Sequence, residues 1–218
     1  MQRFVVPVVT ALMLAGPASA SIVQNGSFEE TPTVNGDLFN DLATPGDASW
    51  AVFDSLPGWT AVPSGGPGIE VQTDETLGSI DAQNGEYYVE LDSTANATIR
   101  QSVFLAAGTY VLSFWYSPRE SDPDTNGMQY SIAGLIGNLT GPGSDPVTAV
   151  GQWTQIVAEF VVGTSGSYDL DFLATTRNDS LGALIDNVAI AAVPVPAAGG
   201  LLLLGLGGLA ALRRRKAA

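Results

Sequence analysis

Two segments of the chain carry acidic, basic and aromatic side chains that could act together. Residues 84–93 (NGEYYVELDS) and 99–119 (IRQSVFLAAGTYVLSFWYSPR) alternate apolar and polar positions. Alternate side chains of a β-strand point to opposite faces of a sheet. The predicted core-facing set of the second segment is Tyr110, Leu112, Phe114 and Tyr116. The outward-facing set, which carries charged and aromatic groups, is Tyr88, Glu90, Asp92, Arg100, Trp115 and Arg119.

This outward set has the chemistry of a carbohydrate-binding surface. Apolar faces of sugar rings pack on aromatic rings, and sugar hydroxyls hydrogen-bond to carboxylates and guanidinium groups. Trp115 and Arg119 are the strongest candidates, and Trp50 and Trp59, in predicted loops, would extend the surface. The alternatives are structural: Trp115 covered by a loop, and Trp59 anchoring the PGW turn in the core.

The chain has no histidine and no cysteine. The Ser-His-Asp arrangement, the usual general base and the commonest zinc ligand are therefore excluded. A pair of carboxylates can still cleave glycosidic bonds, and Glu86, Glu90 or Asp92 could serve. Because some pair among 22 acidic residues always looks suitable, we predict that the protein is not an enzyme.

The acidic residues are confined to the middle of the chain. All 22 lie between residues 21 and 193, where only Arg100, Arg119 and Arg177 oppose them. Such a domain would be repelled by phosphates, which argues against nucleic acid as a partner. The charge is compatible with binding cations or neutral sugars.

Short alternating segments predict β-strands, and no stretch outside the two termini has the 3.6-residue period of a helix. The predicted strands are 68–72, 86–92, 97–105, 109–117, 128–133, 154–162, 166–174 and 183–191. Residues 30–50 and 136–152 are rich in turn formers and are predicted to be loops. Strands of this length and spacing predict an all-β sandwich or barrel.

The first 20 residues have the features of a signal peptide. Arg3 precedes an apolar stretch at 4–14, and Ala18-Ser19-Ala20 is a small-x-small cleavage site. We expect cleavage after Ala20, so that the middle of the chain is exported.

The chain ends in a proline motif, an apolar stretch and four basic residues. Residues 197–212 contain only Ala, Gly and Leu, and as a helix they would span about 24 Å against about 30 Å for a bilayer core. The basic residues 213–216 follow at once and predict a cytoplasmic C-terminus. This tail is therefore expected to be a weak membrane anchor.

The order of these three parts resembles the PEP-CTERM class of bacterial sorting tails, here 193–218. The motif Val193-Pro194-Val195-Pro196-Ala197 is similar to the VPLPA variant, with Val195 in place of Leu. The resemblance implies recognition by an exosortase-type membrane transpeptidase and transient anchoring in the inner membrane of a Gram-negative bacterium. It also implies a destination in the cell envelope, at the cell surface or in an extracellular matrix associated with exopolysaccharide.

A second resemblance covers 21–192. In order along the chain stand NGSFEE (25–30), LPGWTA (56–61), the two alternating segments above, WTQIVAEF (153–160) and LIDNVAI (184–190). This order is similar to that of the galactose-binding-like jelly rolls, which include many carbohydrate-binding modules, and in particular to a family of unknown function first noted in plant cell-wall proteins. The resemblance implies a two-sheet antiparallel jelly-roll sandwich whose first and last strands lie close together.

The same resemblance implies a structural calcium ion between the N-terminal loop and the last strand. The matching residues are Glu29 and Asp186, with Asn25 and Ser27 as possible carbonyl ligands. Calcium binds carboxylate and carbonyl oxygens, and a metal would help to hold an exported domain that lacks disulfides. The alternative is that Glu29 and Asp186 only hydrogen-bond to loops.

Together these features predict an exported envelope or matrix protein that binds polysaccharide without catalysis. Two alternatives stay open: a purely structural surface protein without a ligand, and a glycoside hydrolase or lyase that uses carboxylates.

Overall fold

The computed structural model describes residues 22–32, 49–74, 76–78, 80–141 and 149–194. The predicted signal peptide and the tail from residue 195 onward, with the helices predicted in both, lie outside these residues. Within them, no helix has the length and apolar character needed to cross a membrane. The described strands are β1 (Trp50–Phe53), β2 (Ser55–Leu56), β3 (Trp59–Val62), β4 (Ile69–Thr73), β5 (Tyr87–Glu90), β6 (Thr98–Leu105), β7 (Gly108–Ser117), β8 (Met128–Ile132), β9 (Leu135–Leu139), β10 (Thr154–Val162), β11 (Gly166–Ala174) and β12 (Leu184–Ala192).

The strands form two six-stranded sheets. The first sheet has the order β1-β4-β5-β12-β7-β10, and the second has the order β2-β3-β6-β11-β8-β9. Adjacent strands are antiparallel in both. The prediction of an all-β, two-sheet antiparallel sandwich is confirmed.

All eight predicted segments form strands, and the structure adds four short ones: β1, β2, β3 and β9. Most of β9 falls in the predicted loop 136–152. It forms because Ala133 and Gly134 both have positive φ, at 47° and 88°, and so close a two-residue hairpin that pairs Ile132 with Leu135.

The core lies between the two sheets. The four β7 residues predicted to face inward are buried, as expected from the alternation. Aromatic rings join the sheets, with ring centroids 5.0 Å apart for Phe114 and Phe172 and 6.0 Å apart for Phe172 and Trp59. Trp59 is fully buried, and its Nε1 donates a hydrogen bond to the carbonyl of Asn25 at 3.0 Å.

The N-terminal segment packs against the last strand. Ile22 N donates to Ile190 O at 3.2 Å, and Val188 N donates to Gly26 O at 2.8 Å. Glycine is required at residue 26, since a Cβ there would collide with the carbonyl oxygen of Val188. The two ends of the sandwich domain therefore lie side by side.

A second, smaller apolar cluster covers part of the outward face of the first sheet. It consists of Ile80, Tyr88 and Leu184, with Leu77, Ala82 and Trp153 packed at its margin. Trp153 packs edge-on against Tyr88, with ring centroids 5.9 Å apart. The rest of this face holds the site described next.

Candidate functional site

A buried polar cluster occupies the outward face of the first sheet. Glu70 on β4 stands directly opposite Glu90 on β5, and Gln72 lies two residues from Glu70 on the same face. Arg119, just beyond β7, reaches the same place. Glu90 is 1% exposed and Glu70 is 7% exposed. Carboxyl groups buried to this degree require hydrogen-bond or charge partners.

Glu90 receives hydrogen bonds from three directions. Arg119 Nη1 donates to both of its carboxylate oxygens, at 2.5 and 2.6 Å. Gln72 Nε2 donates to Glu90 Oε2 at 2.5 Å and also to Glu70 Oε1 at 2.7 Å, so one amide bridges the two acids. The backbone N of Gly182 donates to Glu90 Oε1 at 2.6 Å.

The loop before β12 is held in place by Asp92. Asp92 Oδ2 accepts hydrogen bonds from the backbone N of Asp179 at 2.9 Å and of Ser180 at 3.1 Å. Glycine is needed at residue 182, because a Cβ would lie 2.5 Å from Asp92 N. This loop supplies both the Gly182 N–H to Glu90 and the Ser180 carbonyl, which accepts from Arg119 Nη1 at 3.1 Å. Asp92 is therefore a positioning residue.

Asn126 organises the loop that carries Arg119. Its Oδ1 accepts from the backbone N of Arg119 at 2.7 Å and of Glu120 at 3.2 Å. Its Nδ2 donates to the carbonyls of Glu120 and Asp122, at 2.9 and 2.6 Å. Asn126 is fully buried, and these bonds fix the backbone from which the Arg119 side chain extends.

A cavity of about 450 Å³ lies over this cluster, within the size range of small-molecule sites. Its rim includes the exposed residues Thr94 and Ser180, so it opens to solvent. The lining combines an aromatic ring, hydroxyls, an amide and charged groups: Trp50, Glu70, Gln72, Thr76, Leu77, Ser93, Thr94, Arg119 and Ser180. Glu90 is not in this lining and supports it from beneath.

Two buried acids, Glu70 and Glu90, lie near the single guanidinium of Arg119. Burial, reinforced by repulsion from Glu70, raises the pKa of Glu90 to about 8, although Arg119 opposes the shift. Burial also raises the pKa of Glu70, against the hydrogen bond from Gln72 and the charge of Arg119. We therefore expect the pair to retain a proton near neutral pH despite the short contacts to Arg119.

The residues of the predicted ligand face lie in different environments in the structure. Glu90 and Arg119 lie together as expected, but Tyr88 and Asp92 are fully buried and cannot contact a ligand directly. Tyr88 lies under the small apolar cluster, where its hydroxyl donates to Ile80 O at 3.4 Å. The Asp92 carboxylate accepts its hydrogen bonds from the loop before β12.

Three other predicted residues lie away from the cavity. Arg100 is on β6 in the second sheet, where it forms ion pairs with Asp171 at 2.6 Å and Asp169 at 3.1 Å. Trp59 is in the core, as its structural alternative proposed. Trp115 is half-buried on the outward face of the first sheet, between Gln155 and Asp186, and does not line the cavity.

The cavity contains residues that the sequence reasoning missed. Glu70 and Gln72 could have been found, because the alternation in 68–72 places Ile69 and Val71 inward and the two polar residues outward. Thr76, Ser93, Thr94 and Ser180 carry no such signal, since they lie outside the strands and are brought together by the fold.

The predicted calcium residues meet around residues 83–87. Glu29 Oε1 accepts from the backbone N of Glu86 and Tyr87, both at 3.0 Å, and Asp186 Oδ2 accepts from Asn84 N at 2.8 Å. Burial, with repulsion from Glu29, raises the pKa of Asp186 to about 7. A β12 bulge, in which Asn187 has a φ of 50°, lies next to Asp186.

These residues fit calcium in part. Two carboxylates approach one loop, and burial raises the pKa of both Glu29 and Asp186. Asn25 fits poorly, since its carbonyl already accepts from Phe28 N and Trp59 Nε1. Ser27 Oγ donates to Asn84 Oδ1 at 3.0 Å. The described residues contain no group of three acidic side chains that could hold a metal, so backbone carbonyls would have to complete the shell.

The chain matches no family model and no curated protein. Its sandwich is similar to solved structures of carbohydrate-binding modules. The structure of TmCBM61 in complex with β-1,4-galactotriose shares 16% identity, with a TM-score of 0.42, over 80% of this chain and 100% of that one. A family 35 carbohydrate-binding module from Clostridium thermocellum shares 14% identity, with a TM-score of 0.41, over 67% and 100%.

An enzyme domain has a similar score. The enzymatically active domain of bacteriophage CBA120 tailspike protein 4 shares 15% identity, with a TM-score of 0.42, over 79% of this chain and 21% of that one. All three of these TM-scores are below 0.5.

Replacing Glu90 with glutamine should change how stability depends on pH. A folded-state pKa above the usual value gives stability below the usual pKa of glutamate, and this is lost as the pH rises through about 8. Between about pH 5 and about pH 9 the wild type should therefore lose stability that Glu90→Gln keeps. The free energy of unfolding of the variant, minus that of the wild type, should rise across this range. Urea unfolding of both proteins across this range measures the difference. A constant difference would mean that Glu90 is ionised throughout, as a simple ion pair with Arg119.

Proposed function

We propose that the protein is an exported, non-catalytic carbohydrate-binding module whose ligand site is the cavity over Glu70 and Arg119. The observation that carries the proposal is the composition of that cavity. The Trp50 ring offers an apolar surface, while Arg119, Glu70 and several hydroxyls offer donors and acceptors. A polyhydroxylated ring needs both kinds of contact.

The charge of the cluster limits the class of sugar. Glu70, Glu90 and Asp92 are opposed by Arg119, and the guanidinium is already engaged by Glu90. An acidic sugar would meet net negative charge, so we propose neutral or amino-bearing polysaccharides as ligands.

A glycoside hydrolase or lyase remains the alternative, favoured by the closeness of Glu70 to Glu90. Two catalytic carboxyl groups must flank the scissile bond. Glu90 is held beneath the cavity by Arg119, Gln72 and Gly182, and so only Glu70 among the described acidic residues faces the cavity. This geometry supports binding rather than cleavage.

Replacing Trp50 with alanine should weaken binding to a neutral polysaccharide by about tenfold, which corresponds to about 1.4 kcal/mol. The matched control is Trp115→Ala, which removes a half-buried tryptophan from the same sheet face outside the cavity. Affinity electrophoresis of the purified protein in gels containing neutral, amino or acidic polysaccharides measures retention.

Each outcome of this experiment separates two hypotheses. Loss of retention in Trp115→Ala alone would mean that the ligand binds nearer the middle of the sheet, outside the cavity. Release of reducing ends would favour the enzyme. Retention on none of the polysaccharides would favour a purely structural surface protein.

We further propose a structural calcium ion held by Glu29, Asp186 and backbone carbonyls near Ser27. A ligand that binds only the folded state raises its stability by mass action. Calcium should therefore raise the Tm of the wild type relative to chelator, and Glu29→Gln should abolish the rise. The control Asp124→Asn changes an exposed acid and should keep it. An unchanged Tm in the wild type would leave Glu29 and Asp186 as loop-capping residues.

We propose that residues 193–218 direct sorting by an exosortase-type transpeptidase, with transient anchoring in the inner membrane of a Gram-negative host and delivery to the envelope or matrix. In such a host, Pro194→Ala/Pro196→Ala should leave the protein in the membrane fraction, while Val195→Leu, which restores VPLPA, should be processed like the wild type. Immunoblots of membrane and released fractions measure this. Equal release of the double variant would contradict the proposal.

A further inference from the structure

One end of the sandwich differs from the rest in charge. It is formed by the β6–β7 turn (105–108), the β10–β11 turn (162–166) and the end of β12, and we call it the neutral end. Its parts are in contact: Ala107 N donates to Ser165 Oγ, and Val193 N donates to Thr109 O, both at 2.9 Å.

The sequence segments that build the neutral end contain no charged residue. These segments are 101–118, 160–168 and 187–194, and the flanking acids Glu159 and Asp169 are exposed about 10 Å back from the turn along their strands. The end also exposes large apolar side chains, with Phe104 68% exposed and Val161 66% exposed on its two sides. The two turns and the end of β12 are thus uncharged, and exposed apolar side chains lie beside them.

The sorting tail leaves from this end. The described chain reaches Pro194, and the apolar stretch of the tail begins at residue 197. The four residue steps from Val193 to Ala197 span at most about 14 Å when fully extended. If the apolar stretch enters a bilayer, the neutral end is necessarily held close to the lipid surface.

The candidate ligand site lies at the opposite end. β7 runs from Gly108 at the neutral end to Ser117, two residues before Arg119, a distance of about 30 Å for ten residues. Acidic side chains gather at the far end, including Glu90, Asp92 and Asp122. Anionic lipid headgroups would repel that end and accept the neutral one.

We propose that the neutral end is a membrane-facing surface. While the tail is anchored, Phe104, Val161 and the two turns rest on the lipid headgroups, and the cavity faces away from the membrane at a height of about 30 Å. In this orientation the cavity is free to bind a polysaccharide before the tail is processed. The inference rests on the proposed anchoring of the tail and not on the identity of the sugar.

The test uses residues 21–218, the chain that remains after the expected signal-peptide cleavage, in vesicles of phosphatidylcholine and phosphatidylglycerol that contain a headgroup-nitroxide lipid. The chain has no cysteine, so single cysteines at two exposed residues, Thr164→Cys at the neutral end and Ser121→Cys at the far end, can each carry a fluorophore. We expect quenching by the nitroxide at residue 164 and none at residue 121. Adding Phe104→Glu/Val161→Glu should reduce quenching at residue 164, and Ser121→Glu/Asn178→Glu, which adds equal charge at the far end, should not.

Other results would overturn the proposal in distinguishable ways. Equal quenching at both residues would mean that the domain lies on its side. Vesicle binding without quenching at residue 164 would mean that the tail anchors the protein but the domain stands away. A disulfide-linked dimer of unlabelled Thr164→Cys without vesicles would assign the neutral end to a second copy. Failure of the chain to bind vesicles would overturn the anchoring and this orientation, whereas polysaccharide retention would be unaffected.

Discussion

The carboxyl group of Glu90 must be satisfied in an almost fully buried position on the outward side of a β-sheet, and the surrounding structure is arranged around that requirement. Leaving a buried charge without partners costs several kcal/mol, so each donor has to arrive from elsewhere in the chain. Gln72 comes from the neighbouring strand, Arg119 from beyond β7, and the Gly182 N–H from the loop before β12. The two loops are held in turn by Asn126 and Asp92.

The cluster gives the cavity a rigid floor. A site whose polar groups are already fixed loses little conformational entropy when a ligand binds, which favours recognition by a preformed surface. The same fixation works against catalysis, because Glu90 is locked below the cavity and cannot move a proton at a bound ligand. The raised pKa of Glu90 is explained by its burial and, after that, by repulsion from Glu70. It does not by itself indicate a general acid.

The alternation of side chains correctly placed two residues of the candidate cluster on one face of the sheet. It placed Glu90 and Arg119 outward, and the same rule applied to 68–72 would have added Glu70 and Gln72. It grouped Arg100 with them wrongly, because the chain crosses from the second sheet to the first between β6 and β7. Alternation says which residues of one strand share a face, but not which sheet the strand joins. It also gave Tyr88 as exposed, although residues outside any strand cover it with Ile80.

The separation of the candidate ligand site from the chain exit follows from antiparallel pairing. β7 and β12 lie side by side and run in opposite directions, so the end of β12 meets the start of β7, and the start of β12 meets Ser117 near Arg119. The acidic and neutral ends are thus set by where charges fall along these two strands.

The sequence by itself determined eight of the twelve described strands, the inward and outward faces within them, the exclusion of histidine and cysteine chemistry, and the apolar composition of both termini. These properties are local, since they depend on side-chain type and a two-residue period. Only the tertiary structure decided that β4, β5, β12 and β7 are neighbours, and that Asp92 and Asn126 hold the loops of the site. Those contacts join residues far apart in sequence, and their selection depends on burial and on hydrogen-bond satisfaction over the whole sandwich, which no local pattern records.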